Sequence, residues 1–150
     1  MIGKPKAKKK PEEKKVSKKI VFTTGKRKRA VARARFKPGS GLIEINKHPL
    51  ELMKNEMVRL KIQEPLILME DAWKKYNIKV SVRGGGLLGQ AEAARQAIAK
   101  GLVELLGSEA KKRFLTYDRN LLVYDPRRTE PHKPPRSSQG PRRAKQRSKR

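Results

Sequence analysis

The segment that decides the fold is IVFTTGKRKRAVARARF, residues 20–36. In its second half, small or apolar side chains alternate with larger ones, most of them basic. One face of a strand would carry Ala30, Ala32, Ala34 and Phe36, and the other Val31, Arg33 and Arg35. The alanine face is predicted to pack on a core and the arginine face to point outward. Residues 37–41 (KPGSG) are predicted to form a hairpin loop, with residues 42–46 (LIEIN) as the returning strand.

Downstream of this segment, helical and extended patterns follow one another. A helix is predicted at 49–61, and a second one restarts at Glu64-Pro65 and continues through Trp73 and Tyr76. A strand follows at 77–83 and ends at the glycine run 84–86. Two further helices are predicted at about 89–106 and 108–117, separated by Gly107. The last helix is predicted to pack through Phe114 and Leu115. The pattern predicts an α+β fold, a small β-sheet with helices packed on it.

Net charge divides the chain into three parts. The chain carries 40 Lys and Arg against 14 Asp and Glu, a formal charge of +26. Residues 1–19 hold nine lysines and two glutamates, and residues 126–150 hold ten basic side chains and Glu130. We therefore expect a disordered Lys-rich extension (1–19), a globular α+β RNA-binding domain (20–125) and an extended, disordered basic C-terminal tail (126–150).

The composition also excludes several classes of protein. A charge of this size indicates a polyanionic partner. No window approaches the roughly 20 apolar residues of a membrane span, so no membrane contact and a cytoplasmic location are expected. Cysteine is absent and His48 and His132 are too few to build a metal site, so neither a metal nor a cofactor is expected. No combination of nucleophile, base and carboxylate suggests catalysis, so no enzyme is predicted.

The tail has its own pattern. Five prolines, at positions 126, 131, 134, 135 and 141, interrupt any helix while the cations between them repel one another. The tail is predicted to order only against an anion, with an extended reach on the order of 80 Å. Three acidic residues near its start, Asp118, Asp125 and Glu130, are expected to pair with Arg119, Arg127 and Arg128 and so to fix where the tail departs.

Two glycine motifs resemble nucleotide-binding loops. The motif Gly84-x-Gly86-x-x-Gly89 satisfies the dinucleotide fingerprint, but no strand signal follows its helix, so a Rossmann unit is rejected. Thr24-Gly25-Lys26 lacks the first glycine of a phosphate loop, and Arg27 stands where Ser or Thr would reach magnesium. The turn at 84–86 is then either a plain strand-to-helix turn or a place where helix N–H groups meet an RNA phosphate.

Several basic and aromatic side chains admit two interpretations. The run from Gly25 to Arg29 is a solvated turn or a phosphate clamp, and Arg33 and Arg35 favour the clamp. For Arg83, Arg95 and Lys100, solvated surface and RNA contact both remain open. Core packing is favoured over base stacking for Trp73 and Tyr76.

Five segments carry a family resemblance. They are TTGKRKRAVARARFKPGSG (23–41), IEIN (43–46), EPLIL (64–68), VSVRGGGLLGQAEAARQAIAKGLVE (80–104) and YDRNLLVYDPRRTEPHKPPRSSQGPRRAKQRSKR (117–150). Together they resemble the universal small-subunit ribosomal protein family S-nine in its archaeal form, from about Val21 to Arg150. Residues 1–19 lie outside the resemblance, and only nonspecific RNA contact is expected of them.

The resemblance implies a fold and a set of partners. It implies a left-handed β-α-β crossover beside the sheet, as in the second domain of ribosomal protein S-five, against the usual right-handed rule. The implied partners are small-subunit ribosomal RNA, the peptidyl-site tRNA and neighbouring proteins of the subunit head, without homo-oligomers. By match to the family's terminal Ser-Lys-Arg pattern, Ser148, Lys149 and Arg150 would contact the tRNA anticodon stem-loop. The aromatic residue that many members carry near this end is absent from residues 146–150.

The remaining candidate site residues are predicted to contact ribosomal RNA. They are Lys26, Arg27, Lys28, Arg29, Arg33, Arg35, Arg83, Gly84, Gly85, Gly86, Arg127, Arg128, Arg136, Arg142, Arg143, Lys145 and Arg147. The alternatives are a chromatin-type DNA architectural protein and an RNA-processing enzyme or its subunit. Competition between duplex DNA and structured RNA tests the first, and an RNA cleavage assay tests the second.

Overall fold

The computed structural model describes residues 20–129. Its elements are β1 (Val21–Arg27), β2 (Ala30–Pro38), β3 (Ile43–Ile45), β4 (His48–Pro49), α1 (Glu56–Leu68), β5 (Tyr76–Arg83), α2 (Leu87–Leu106) and α3 (Ser108–Tyr117). Short 3-10 helices lie at Leu50–Leu52, Ala72–Lys75 and Arg119–Leu121. The predicted α+β class is confirmed. The extension 1–19 and residues 130–150 of the tail lie outside the described residues.

The five strands form one mixed sheet in the order β1-β2-β5-β3-β4. All neighbours are antiparallel except β3 and β5, which run parallel. Because α1 lies in the connection from β3 to β5, these elements form a β-α-β crossover.

Helix α2 packs closely on the first two strands because both surfaces are built from small residues. Alanines from β2 and from α2 are fully buried between them. A Cβ on Gly25 would lie 2.1 Å from the Ala93 carbonyl oxygen, and one on Gly101 would lie 2.0 Å from the Phe36 ring. The predicted inward face of the strand is therefore confirmed, and glycine allows the helix to approach the sheet.

The predicted opening hairpin is wrong. Strand β2 pairs instead with β1 through a turn at Lys28 and Arg29, inside the run Gly25–Arg29 for which a turn was one of the two interpretations. Lys28 has a φ of 53°, a left-handed conformation that Gly or Asn normally marks in such turns, so the composition did not indicate a hairpin here. Residues 37–41 do not join paired strands, since β3 pairs with β5 and β4 rather than with β2.

The predicted helices between 49 and 76 are also placed differently. The helix expected at 49–61 is a 3-10 turn followed by α1, whose N-terminus is capped when the Asn55 side chain accepts the Val58 N–H at 3.3 Å. No new helix restarts at Glu64, because α1 continues through Pro65. Pro65 is buried, and its packing offsets the lost backbone hydrogen bond. Tyr76 is the first residue of β5, not the end of a helix.

The second half of the domain follows the prediction closely. The strand at 77–83 and both later helices are present, and Gly107 separates α2 from α3 with a φ of 84°. Tyr76 is buried and Trp73 is half-buried against the core, so the packing role assigned to them is confirmed. Leu115 is 45% exposed, and α3 packs through Phe114 and Ala110 instead.

Candidate nucleic-acid interface

The face of the sheet opposite the helices is basic, and no helix among residues 20–129 covers it. Outward residues of β1, β2 and β5 align across the strands in three rows. The rows are Lys26–Val31–Arg83, Thr24–Arg33–Ser81 and Phe22–Arg35–Lys79. We call these nine residues the open face. Because neighbouring strands lie about 4.8 Å apart, the cations of adjacent strands share one surface.

Arg33 lies at the centre of the open face. Its cross-strand neighbours are Thr24 and Ser81, two short hydroxyl side chains. Arg33, Ser81, Val31 and Arg83 line a shallow depression of about 220 Å³. Guanidinium and hydroxyl groups are both common phosphate ligands, so this arrangement suits an RNA backbone.

The open-face arginines differ from the arginines on the helix side in their partners. Arg95 on α2 is held by Glu64 and by Asp118, the latter at 3.0 Å. Within residues 20–129, no ion pair involves Arg33, Arg35 or Arg83. Arg95 is therefore neutralised by carboxylates, whereas the charges of these three open-face arginines remain available to an external anion.

One open-face cation does have a partner. Lys79 lies 2.9 Å from Glu44 of β3, the strand on the far side of β5. The sequence prediction named neither Lys79 nor Thr24 nor Ser81 as contact residues. The period-two alternation places all three outward once β1 and β5 are recognised as neighbours of β2.

The turn between β1 and β2 and the glycine turn after β5 meet at one end of the sheet. A Cβ on Gly84 would lie 2.7 Å from the Arg29 carbonyl oxygen, and one on Gly85 would lie 3.0 Å from the Ala30 nitrogen. Both glycines also have positive φ, a conformation that glycine adopts readily. Because they lack a Cβ, the backbones of the two turns can come into contact. The contact places Lys28, Arg29 and Arg83 beside the N-terminus of α2.

Helix α2 begins at this end without a side-chain cap. Gly86 is its N-cap residue, and its first turn contains no acidic residue. The first N–H groups of a helix have no partners within the helix and carry partial positive charge. No strand follows α2 in the described part of the chain, which agrees with the rejection of a dinucleotide-binding unit.

Arg27 does not belong to the open face. Its side chain is 16% exposed and points toward α2, where Nε donates to Glu92 at 2.6 Å and Nη1 lies 2.9 Å from Asp125. An isolated parallel bridge also joins Arg27 to Asp125 through the backbone. These contacts give Arg27 a structural role, because they hold the start of the tail against β1.

Gln96 is the second support of the tail start. It is a polar side chain buried in the domain core, 4% exposed. Its Oε1 accepts the Lys26 N–H at 2.9 Å, and its Nε2 donates to the Val123 carbonyl at 2.8 Å. One amide thus links the edge strand β1 to the segment that precedes the tail. The sequence analysis did not single out Gln96, since a lone glutamine on a helix carries no signal.

The expected pairing near the tail start is confirmed at Asp125 and wrong at Asp118. Asp125 accepts from Arg127 at 2.7 Å, and hydrogen bonds from Arg127 lower the pKa of the Asp125 carboxyl from 3.8 to about 2. Asp118 pairs with Arg95 rather than with Arg119. Arg128 donates to the Tyr124 hydroxyl at 3.1 Å.

Lys100 of α2 lies beside the edge strand β1. Its Nζ donates to the Thr24 carbonyl at 3.3 Å. Partial burial and the charge of Lys26 lower the pKa of the Lys100 ammonium. A phosphate beside these two lysines would relieve their repulsion, whereas Arg95 is already neutralised by carboxylates.

The remaining predicted residues belong to the tail. Arg136, Arg142, Arg143, Lys145, Arg147, Ser148, Lys149 and Arg150 lie outside the described residues. Among residues 20–129, no group of three His, Asp or Glu side chains is placed to hold a metal ion. In the same range, no helix combines the length and the apolar character that crossing a membrane requires.

Comparisons with known proteins identify a family of ribosomal proteins. A family model described as ribosomal protein S9/S16 matches residues 25–150. The small ribosomal subunit protein uS9 of Methanococcus maripaludis strain C7 is 51% identical over 131 residues, which cover 87% of this chain and 98% of the relative. The protein of the same name from Methanococcus vannielii is 50% identical over the same shares. On the extent of these matches, the chain belongs to the ribosomal protein S9/S16 family.

Proposed function

We propose that this ribosomal protein is a structural, non-enzymatic component of the small subunit of the cytoplasmic ribosome. It binds small-subunit ribosomal RNA through the open face, and its tail reaches the peptidyl-site tRNA. The first part is supported by the open-face arginines, which no carboxylate and no helix of the described residues 20–129 neutralises or covers. The names of the methanococcal relatives support the place in the small subunit.

The RNA backbone would lie across the rows of the open face. Arg33, Arg35 and Arg83 each offer a planar group that can donate two hydrogen bonds to one phosphate. Contacts of this kind position the RNA without reading its sequence. A structural protein that holds the fold of a large RNA needs such contacts.

A second phosphate position lies where the two turns meet. Lys28 and Arg29 flank the uncapped N-terminus of α2, where backbone N–H groups and the helix dipole favour an anion. Among the predicted residues, Gly84, Gly85 and Gly86 contribute through the backbone that this turn exposes. Arg27 contributes indirectly, because it fixes the adjoining tail start.

The tail supplies the third part of the proposal. Residues 126–150 carry ten basic side chains, and the support from Asp125 and Gln96 fixes where they leave the domain. Arg136, Arg142, Arg143, Lys145 and Arg147, with Arg127 and Arg128, would follow ribosomal RNA phosphates. Ser148, Lys149 and Arg150 would contact the anticodon stem-loop of the peptidyl-site tRNA. The left-handed sense of the β3–α1–β5 crossover also belongs to this proposal and rests on the family resemblance.

Lysine acetylation tests directly which surface of the domain binds RNA. The full chain is acetylated with and without small-subunit ribosomal RNA, and modified lysines are quantified by mass spectrometry. We expect protection of Lys26 and Lys28, and continued modification of the exposed Lys111 and Lys112 on α3. Equal protection of both sets would contradict the assignment.

A short truncation tests the tail. Removal of Lys149 and Arg150 should weaken retention of tRNA in the peptidyl site and leave subunit assembly almost intact, because the domain and the rest of the tail remain. Retention and assembly are measured on the same subunits. A loss of assembly with normal tRNA retention would refute the role given to these two residues.

A further inference from the structure

A cleft of about 440 Å³ opens between β3, β4 and the C-terminal half of α1. Buried apolar side chains such as Ile43, Leu50 and Leu66 line it. Two apolar side chains at its mouth face solvent, Leu42 at 47% and Ile67 at 68% exposure. The cleft therefore offers an apolar floor and an apolar rim that nothing in residues 20–129 covers.

The charge around this cleft is opposite to that of the open face. Three carboxylates line it, from Glu51, Glu70 and Asp71, against a single cation, Lys74. Lys74 is held by Asp71 at 2.6 Å, and the nearest cation to Glu70, from Arg113, is 3.5 Å away. Glu51 makes no ion pair with any described residue. We call this site the acidic cleft.

RNA is a poor occupant for the acidic cleft, because phosphates would meet carboxylates and an apolar surface. The cleft contains Ile43, which points to the helix side of β3, so it is separate from the open face. A ligand that fits must bring apolar side chains for the floor and positive charge for the rim.

We propose that the acidic cleft is a docking site for a basic, apolar segment of a neighbouring ribosomal protein. Its apolar side chains fill the cleft between Leu42 and Ile67, and its Lys or Arg side chains pair with Glu51 and Glu70. Central apolar anchors with charged partners at the rim are the usual composition of a specific protein interface. The inference rests on membership in a ribosomal protein family and not on the RNA-binding role of the open face.

Photo-cross-linking in assembled small subunits tests this site. A chain with Ile67 replaced by benzoylphenylalanine should form an adduct with a Lys- or Arg-rich segment of another ribosomal protein, identified by mass spectrometry. A second variant carries the same group at Leu42, so that the result does not depend on a single attachment position. A matched control carries the group at Leu88, which is 56% exposed at the start of α2, and should label ribosomal RNA.

Charge removal adds a second readout. The Glu51→Gln, Glu70→Gln double variant should lower the yield of the Ile67 adduct several-fold, while Glu104→Gln on the exposed side of α2 should not change it. An adduct with RNA, or with residues 1–19 of the same chain, overturns the proposal. So does an unchanged yield in the double variant, or no adduct at Ile67 and Leu42 while Leu88 labels RNA. If only the Leu88 variant fails to label RNA, the result contradicts the RNA contact proposed for the start of α2 and not the acidic cleft.

Discussion

At the scale of single residues, the surroundings of each arginine decide its role. Arg95 and Arg33 have the same side chain, but Arg95 is 13% exposed between two carboxylates, whereas no carboxylate of residues 20–129 pairs with Arg33. Replacing Arg95 by Met leaves the partly buried carboxylates of Glu64 and Asp118 without their cation. We expect a loss of about 1–3 kcal/mol in the free energy of unfolding.

Urea denaturation of the full chain measures this loss. Arg33→Met is the matched control, and it should change stability by no more than about 0.5 kcal/mol because the side chain is exposed. If both variants lose the same stability, the distinction between structural and RNA-facing arginines fails.

Gly25 provides a second residue-scale prediction. A methyl group there would meet the backbone of α2 at Ala93 and Ala97, which cannot move as a flexible side chain could. Gly25→Ala should therefore destabilise the domain by about 1–3 kcal/mol. Gly86→Ala is the control, since a Cβ there meets nothing within 4 Å. Thermal unfolding that shifts equally in both variants would argue against the close packing.

Asp125 should show an unusual titration. Its folded-state pKa is lowered from 3.8 to about 2, so its contribution to stability is complete above the ordinary pKa and is lost as the pH falls through about 2. The carbon chemical shift of its carboxyl group reports the midpoint directly. We expect Arg127→Gln to return the midpoint toward 3.8. A wild-type midpoint near 3.8 would contradict the pairing.

At the scale of elements, local composition predicted the helices and strands whose ends are marked by glycine. It missed the strands whose position depends on pairing with residues distant in the sequence. Gly107 and the glycine run 84–86 mark the ends of β5, α2 and α3, and these elements were predicted correctly. The turn at Lys28 carries no Gly, Asn or Pro, so the pairing of β1 with β2 was not predicted. The pairing of β3 with β5 depends on residues more than 30 positions apart, which periodicity cannot supply.

The link between β1 and the tail start gives an element-scale prediction. Gln96→Leu removes both hydrogen bonds that join the Lys26 N–H and the Val123 carbonyl to α2. Amide exchange at Lys26 should accelerate, and residues 122–129 should become more accessible to proteases. Gln90→Leu, which removes only one bond to the Gly84 carbonyl, should leave both readouts unchanged. Unaltered exchange in Gln96→Leu would show that the link does not hold the tail start.

At the scale of the whole molecule, charge is arranged by face. The sequence predicted the polyanionic partner, because a charge of +26 allows few others. It also placed Arg33 and Arg35 outward. It could not separate Arg27 from its neighbours, since only the fold brings Glu92 and Asp125 to that side chain. The same limit applied to the acidic cleft, whose carboxylates come from two separate segments, at Glu51 and at Glu70–Asp71.

The central claim is that the open face binds ribosomal RNA. Each neutralised phosphate contributes roughly 0.7–0.9 to the slope of log affinity against log salt. The direct test is this slope for the full chain, for a variant with Arg33, Arg35 and Arg83 changed to Gln, and for a control with Lys111, Lys112 and Arg119 changed to Gln. All three control residues are exposed on the helix side. We predict that the slope falls by about 2 to 3 in the open-face variant and stays unchanged in the control, and equal slopes in the two variants would contradict the claim.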